Sequence, residues 1–508
     1  MSGYSPTILI DRGADLGSYL AKDLNEIVAL VTKDIPENDL KLISNPNRKT
    51  PIDHLIQYKE SDFEFLNRLS GEYHEWFFYD GKQLNFGKPD KQMEVSLFYG
   101  RDVQDLQYAL GISPIKTKIF TYNPKQDEML QGESSSKNDS MPDLSHAIQT
   151  SNNAYSKAFS QPSLTHIDNS HDLKNYLENE EEANISELLK ISAKGDNAAL
   201  RVGCIAEITM SMRQDTAFIT ESLGKFLITK INHHIDVAGR YHNTFEGLLA
   251  TTECILVKDN QKPNPGMQLA DVVDNNDPLG QGRIKVKFKW ECLTNDVTEW
   301  LRIITPDAGS SVQVNTNRGF VFVPEIGDQV AVTFEDGNIA RPIVMGSIFH
   351  GINGAGGYEN NHLKTIATRS GHLVVFNDTS GAETITITDR NNNVIRFDTS
   401  TSSIEISAPE NINIRAKNID INAEQNVSIS AGDHIYKNAG GNIACNAGEN
   451  HSVMAENITL AANDNISKTA ASIEKTAEHI SLSSTNDNIE MHSAQEIVNK
   501  SGSKVKLF

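Results

Sequence analysis

The sequence predicts a mainly β protein with three parts: a mixed α+β head, a small five-strand barrel, and a C-terminal β-helix or β-prism. Three observations carry that expectation. From Ser403 to Phe508 a short phrase recurs thirteen times at spacings of seven to nine residues. Between 262 and 350, five short alternating runs fall within a hundred residues. Before residue 245, helical and alternating patterns are interspersed.

In the head (1–245), PTILID reads as a strand. Leu16, Leu20, Leu24, Ile27 and Val28 have helical spacing. Ser61 with Glu64 three residues later is a capping signal for a helix burying Phe65, Leu66 and Leu69. Trp76 to Tyr79 then form a strand before the turn Asp80-Gly81. The Ser/Asn/Asp-rich stretch from Gln126 to Ser145 reads as a loop. A helix over Leu173 to Leu189 carries the acidic run Glu178 to Glu182, read as a solvated face and not as a cation or docking site. Phe226, Ile228 and Ile231 alternate along a strand. Its neighbouring His233 and His234 point to opposite faces, which excludes joint metal ligation.

The second part spans 246–352. In the run from Arg283 to Trp290, Ile284, Val286, Phe288 and Trp290 share one face and three lysines the other, the pattern of a half-buried antiparallel strand. Further strands are expected at Trp300–Ile304, Gly319–Val323, Gln329–Phe334 and Pro342–Phe349, with a hairpin turn at Asp336-Gly337. Five such strands point to a barrel of the oligonucleotide/oligosaccharide-binding (OB) type. Its aromatics alternate inward and no basic groove accompanies them, so a structural collar is expected, with no nucleic-acid reader.

A glycine-rich joint (351–362) leads to a transition segment, 353–402, with three alternating strands and turns at Ser380-Gly381 and Asn391-Asn392. The repeat, 403–508, follows. Its anchors are Ile404, Ile412, Ile419, Val427, Ile435, Ile443, His451, Ile458, Ile466, Ile473, Ile480, Ile489 and Ile497. A second, mostly apolar row lies two positions on and a small residue, usually Ala, four positions on. Asn commonly precedes the anchor, as at Asn411, Asn418 and Asn457, where its tolerance of left-handed backbone suits a corner. Each unit is thus a five-residue strand with one apolar face. One chain coiling alone and three chains interleaving both satisfy the period. With strands ~4.8 Å apart, interleaving gives a needle of roughly 60 Å against about 20 Å for a single coil.

Composition excludes whole classes of function. The 508 residues carry a formal charge of −21 with no basic stretch, which opposes binding to nucleic acid or anionic lipid. Cys204, Cys254, Cys292 and Cys445 are scattered, without metal or disulfide spacing, and fit a reducing compartment. No signal peptide and no membrane span is evident, so synthesis in the cytoplasm and export by some other route are expected. No Walker, HExxH or GxSxG motif is present, no carboxylate pair has a context that perturbs its pKa, and no catalytic residue or cofactor is expected. Within the repeat, His451 replaces an anchor, and Lys437, Lys468, Lys475 and Asn499 interrupt the second row. On a threefold axis His451 would be the best metal candidate, but hydrated layers explain these breaks more simply, and no metal is expected.

Several stretches resemble one family: YKESDFEFLNRLSGEYHEWFF, DPLGQGRIKVKFKW, RGFVFVPEIGDQVAVTFEDGNIARPIVMGSIF and TRSGHLVVFNDTSG are similar to VgrG, the spike protein of type VI secretion systems and relative of phage-tail hubs. The most specific positions are Gly280, Gly282, Arg283 and Trp290, then Pro324, Glu325, Gly327 and Asp328, with structural roles in the barrel. The resemblance implies a homotrimer with a barrel-containing head, an OB collar and an interleaved triple-stranded β-helix. It implies docking on a hexameric inner tube and baseplate, effector cargo, and a PAAR-type tip protein seated on Val505, Leu507 and Phe508. It also implies a non-enzymatic puncturing device with no stable membrane insertion. Against the family pattern, the head before YKESDFEFLNRL is short, lacking part of the first barrel, and neither a lysozyme-like insertion nor a terminal toxin domain is expected. The alternatives are the spike of a phage tail or extracellular injection particle, and a glycan- or cell-wall-cleaving tail spike.

Overall fold

In a computed structural model, the described residues are 3–135, 141–163, 165–214, 217–257, 262–291, 294, 297–354 and 358–506. The chain divides into two units, Met1–Asn411 and Ile412–Phe508.

The first unit is built from separate small cores. Residues Asp15–Lys22 form a strand antiparallel to Ile52–Glu60, and helices α1 (Leu24–Val31) and α2 (Asp62–Tyr73) close around them. Both helices begin with complete capping boxes, Asp23 with Glu26 and Ser61 with Glu64. The expected helix through Leu16 and Leu20 is therefore half strand. Gly17, Ser18 and Tyr19 have poor helix propensity and pair across to Gln57, Ile56 and Leu55, and Asp23 starts the helix only afterwards. The expected strand at PTILID is a 3-10 turn over Pro6–Leu9, where proline opens the first turn.

The largest sheet has six strands in the spatial order Glu94–Phe98, Ile205–Gln214, Ala217–Ile235, Tyr241–Leu249, Leu189–Gly195, Val103–Leu110. Helix α3 (Pro142–Ala154) contributes Leu144 and Ile148 to the core against Phe226, Ile228 and Phe245. A satellite sheet of Phe159–Pro162, Thr117–Asn123 and Glu128–Glu133 packs under α4 (Ser170–Ser186) through Leu173 and Leu177. The stretch read as a loop from Gln126 to Ser145 thus holds a strand and the start of α3. The acidic run is also not uniformly solvated: Glu181 is fully buried and Glu180 meets His74 Nε2 at 2.8 Å.

The barrel sheet runs Lys285–Phe288, Gln268–Asp274, Gln329–Phe334, Pro342–Ser347. Single bridges from Leu301 to Ile284 and from Ile303 to Val344 close it, in place of a full strand at Trp300–Ile304. Of the expected Gly319–Val323 strand only Gly319 pairs, in a two-residue strand Arg318–Gly319 against Ala308–Gly309, and Phe320, Val321 and Phe322 stay exposed. Not all the aromatics of this barrel point inward. Ile56 and Tyr58 from the head strand complete its core.

Five strands then form a meander: Leu363–Ala367, Leu373–Asn377, Thr384–Thr388, Val394–Asp398 and Ser403–Ser407. Its turns use left-handed residues, Gly381 and Asn392 at the expected places and Ser402 at the last. The first repeat phrase, Ile404 and Ile406, is therefore an ordinary edge strand of this ladder, because Val394–Asp398 offers it a partner. Among the described residues no helix is long and apolar enough to cross a membrane.

The fold depends on one buried ion network within the signature phrase. Arg68, fully buried, donates through Nε to Glu60 (2.7 Å), through Nη1 to Glu72 (3.2 Å) and through Nη2 to the Ile56 carbonyl (2.8 Å). Substituting Arg68→Ala strands two buried carboxylates, so chemical denaturation should show a loss of about 3–5 kcal/mol.

Candidate functional site

Over 412–506 no strand pairing and no main-chain turn hydrogen bond occurs among the described residues, and every residue whose burial is described is exposed. The aliphatic anchors are uniform, from 51% exposed at Ile497 to 59% at Ile443, and the second row reaches 74% at Ile421. Each branched side chain left in water forgoes ~1.5–3 kcal/mol of burial. A row this long marks a surface that needs partners. Both edges of every unit are also open, a template for strand pairing.

The meander has the same property by itself. Register places Ile366, Val374, Ile387, Ile395 and Ile406 in one cross-strand row and Phe376, Ile385, Phe397 and Ile404 in the next. Both rows lie on one face, and most of their side chains are exposed.

His451 and Cys445 lie exposed along the ribbon. Val505 is exposed at 54%, while Leu507, Phe508 and Cys292 lie outside the described residues. Cys204 and Cys254 are free and buried.

The barrel signature forms two turns. In DPLGQGR, Asp277 accepts from the amides of Leu279 (3.0 Å), Gln281 (2.9 Å) and Arg283 (3.3 Å). Arg283, buried, then donates Nε (3.0 Å) and Nη2 (2.7 Å) to the same carboxylate. Gly280 and Gly282 supply the positive φ angles, 65° and 71°, that let the loop fold over Asp277. In PEIGDQV, Asp328 Oδ2 accepts from the Glu325 amide (2.9 Å), Gly327 donates to the Val272 carbonyl (2.9 Å), and the Pro324 carbonyl accepts from Asn275 (3.1 Å). Glu325 also takes Arg369 Nη1 at 3.1 Å. Trp290 stacks on Phe288, centroids 4.8 Å apart. None of these groups converges on a cleft with nucleophile, base and acceptor site. They build turns.

Spacing along the chain gave no hint of a charged cluster where three parts of the first unit meet. Lys125 Nζ lies 3.0 Å from both Asp53 Oδ2 and Asp168 Oδ2 and 3.8 Å from Glu299 Oε2. His166 Nε2 lies 2.9 Å from Asp168 Oδ1, and its Nδ1 lies 4.0 Å from Glu299 Oε1. Burial pushes the Glu299 carboxyl up. Burial pulls His166 down, but Asp168 and Glu299 outweigh it and hold the imidazole above its ordinary value. Contrary to expectation, carboxylates here do sit in a perturbing context. Asp53, His166 and Glu299 approach closely enough to suit a cation. The Lys125 ammonium lies against two of the three, and the groups present form an ion-pair network.

Comparison with known proteins agrees with the barrel. Residues 268–349 match the type VI secretion system/phage-baseplate injector OB domain. A stretch of 75 residues is 33% identical to the actin cross-linking toxin VgrG1 of Vibrio cholerae, covering 14% of this chain and 6% of that protein. Among solved structures, the E. coli c3393 protein, described as a type VI secretion component similar to T4 tail proteins gp27 and gp5, aligns with TM-score 0.42 and 14% identity. That alignment covers 68% of this chain and 76% of that one. The lidded Francisella PdpA–VgrG complex aligns with TM-score 0.47 and 9% identity, over 79% of this chain and 64% of that one.

The Asp277 loop generates a pH prediction. Arg283, then the loop amides, hold the Asp277 carboxyl well below its ordinary 3.8. A depressed acid contributes stability above that ordinary value and loses it as pH falls toward the folded one. Acid unfolding of the barrel should therefore steepen below about pH 4, and Asp277→Asn should flatten that limb while lowering stability at neutral pH.

Proposed function

We propose that this VgrG-like chain is one third of a trimeric, non-enzymatic spike of a contractile injection apparatus of the type VI secretion kind. The observation that carries the reading is the ribbon over 412–506, which has an apolar stripe along its units and, among its described residues, neither strand pairing nor a buried side chain. Three identical strands around a threefold axis supply both needs at once: the stripes face inward as a shared core, and each edge meets a neighbouring chain. The small residue at the fourth position leaves room for the turn into the next layer.

The mechanism is stiffness. An interleaved needle has no free edge along its length, so axial load cannot peel one strand at a time. The injector OB domain matched at 268–349 is the collar in this reading. The head docks on a hexameric inner tube and baseplate, and a PAAR-type tip protein seats on the apolar end around Val505, Leu507 and Phe508. Effector cargo travels with the assembly, which leaves the cell through the apparatus itself. A hydrolytic tail spike needs a paired-carboxylate groove, and the exposed ribbon gives that reading no support. The matched domain is shared with phage baseplates, so the second reading is a phage-tail spike of the same architecture.

Solution mass tests the assembly: three times 56.1 kDa is expected, and a well-folded single copy would overturn the spike. Placing a carboxylate in two shared layers, Ile458→Asp with Ile466→Asp, should abolish trimer assembly while leaving the first unit folded, read by light scattering and circular dichroism. Removing Val505 to Phe508 should leave the trimer intact and abolish capture of a PAAR-type tip protein. Capture that persists would refute the platform.

A further inference from the structure

The junction cluster carries an inference independent of the spike reading. Its members come from three separately cored parts of the first unit. Asp53 lies on the head strand Ile52–Glu60, Lys125, His166 and Asp168 flank the satellite sheet and α4, and Glu299 belongs to the barrel. Three carboxylates face one ammonium, so the network is short of positive charge unless the imidazole supplies it. The ring is placed to do so, with carboxylates beyond both nitrogens: Asp168 at 2.9 Å and Asp53 at 3.8 Å from Nε2, and Glu299 at 4.0 Å from Nδ1. A neutral imidazole brings no charge to these carboxylates, and its buried Nε2 makes no aligned hydrogen bond; the doubly protonated ring presents positive charge to both sides.

We propose that His166 is a proton-operated latch that fastens the satellite sheet to the head strand and the barrel when protonated and loosens that junction when neutral.

The surrounding charges support this assignment. From the head strand, besides Asp53, the buried His54 is pushed down to about 3 by burial and by His166, and its Nε2 is engaged with Ser18 Oγ at 3.0 Å, so it stays neutral. On the satellite side, burial works against the Asp168 charge, but His166 and Lys125 hold its pKa low, and Asp168 and Asp53 hold the Lys125 pKa high. Tyr122 is tied to Asp127 at 2.8 Å. On the barrel side, Arg283 is committed to Asp277, and Arg302 and Arg341 to Glu335, so none of the guanidiniums is free to neutralise Glu299. The group left to change charge near neutral pH is therefore His166. The sign follows from its raised value: the latch's stabilisation is complete below the ordinary imidazole pKa of 6.5 and is lost as pH rises through the higher folded value.

Hydrogen–deuterium exchange on the full-length protein tests the latch, with rates corrected for the chemical dependence of exchange on pH. In the unmodified protein, protection of peptides over 121–126, 165–169 and 297–302 should fall between about pH 6 and about pH 8, while peptides of α1 stay protected throughout and report that the head is folded. His166→Gln should show the low protection at both pH values. His166→Lys, permanently charged, should keep protection high at both. Glu299→Gln should move the transition to lower pH by relieving the demand for the proton. Junction protection that does not change with pH in the unmodified protein, or a His166→Gln variant that follows the same pH course, would overturn the proposal.

Discussion

A strand with one apolar face and two open edges is not a finished structure, and that constraint governs this protein. Where the chain meets it inside the first unit, it supplies its own answer. The six-stranded sheet buries Phe226, Ile228 and Phe245 under α3, and the barrel borrows Ile56 and Tyr58 from the head to complete its core. Over 412–506 no strand pairing and no buried residue occurs among the described residues. The regular exposure of the anchors leaves an apolar row that repeats with the period of the sequence.

Buried charge plays the complementary part. Arg68, held between Glu60 and Glu72, and Arg283, clasped by Asp277, are rigid, fully paired and local in sequence. They fix α2 against the strand before it and hold the loop from Asp277 to Arg283 closed on itself. The cluster of Lys125 and His166 with Asp53, Asp168 and Glu299 differs because its groups come from distant parts of the chain and its charges do not balance at neutral pH. Paired local ions set shape; an unbalanced long-range set responds to protons.

The signature phrases are legible as turn chemistry once their geometry is in view. Gly280, Gly282 and Gly327 sit where the backbone takes positive φ, and Asp277 and Asp328 collect amides that the turns leave unpaired. The loop cannot be drawn without such residues, and their presence alone says nothing about catalysis. The exposed Phe320 and Phe322 show the converse: an alternating aromatic pattern identifies a strand-like segment but not which side of it the fold will cover.

The sequence by itself determined the period of the repeat, the apolar face of each unit, the capped start of α2 at Ser61, the barrel hairpins and the meander turns at Gly381 and Asn392. All of these are local, settled by side-chain pattern or turn preference within a few residues. Tertiary structure alone decided that Asp15–Lys22 is a strand, that Ile404 pairs into the meander, that Glu181 is buried within an acidic run, and that Asp53, His166 and Glu299 meet. The first and last of those depend on partners tens to hundreds of residues away, and even Ile404 needs Phe397 across a turn. Pairing energy and desolvation there override local preference, and no local pattern encodes them.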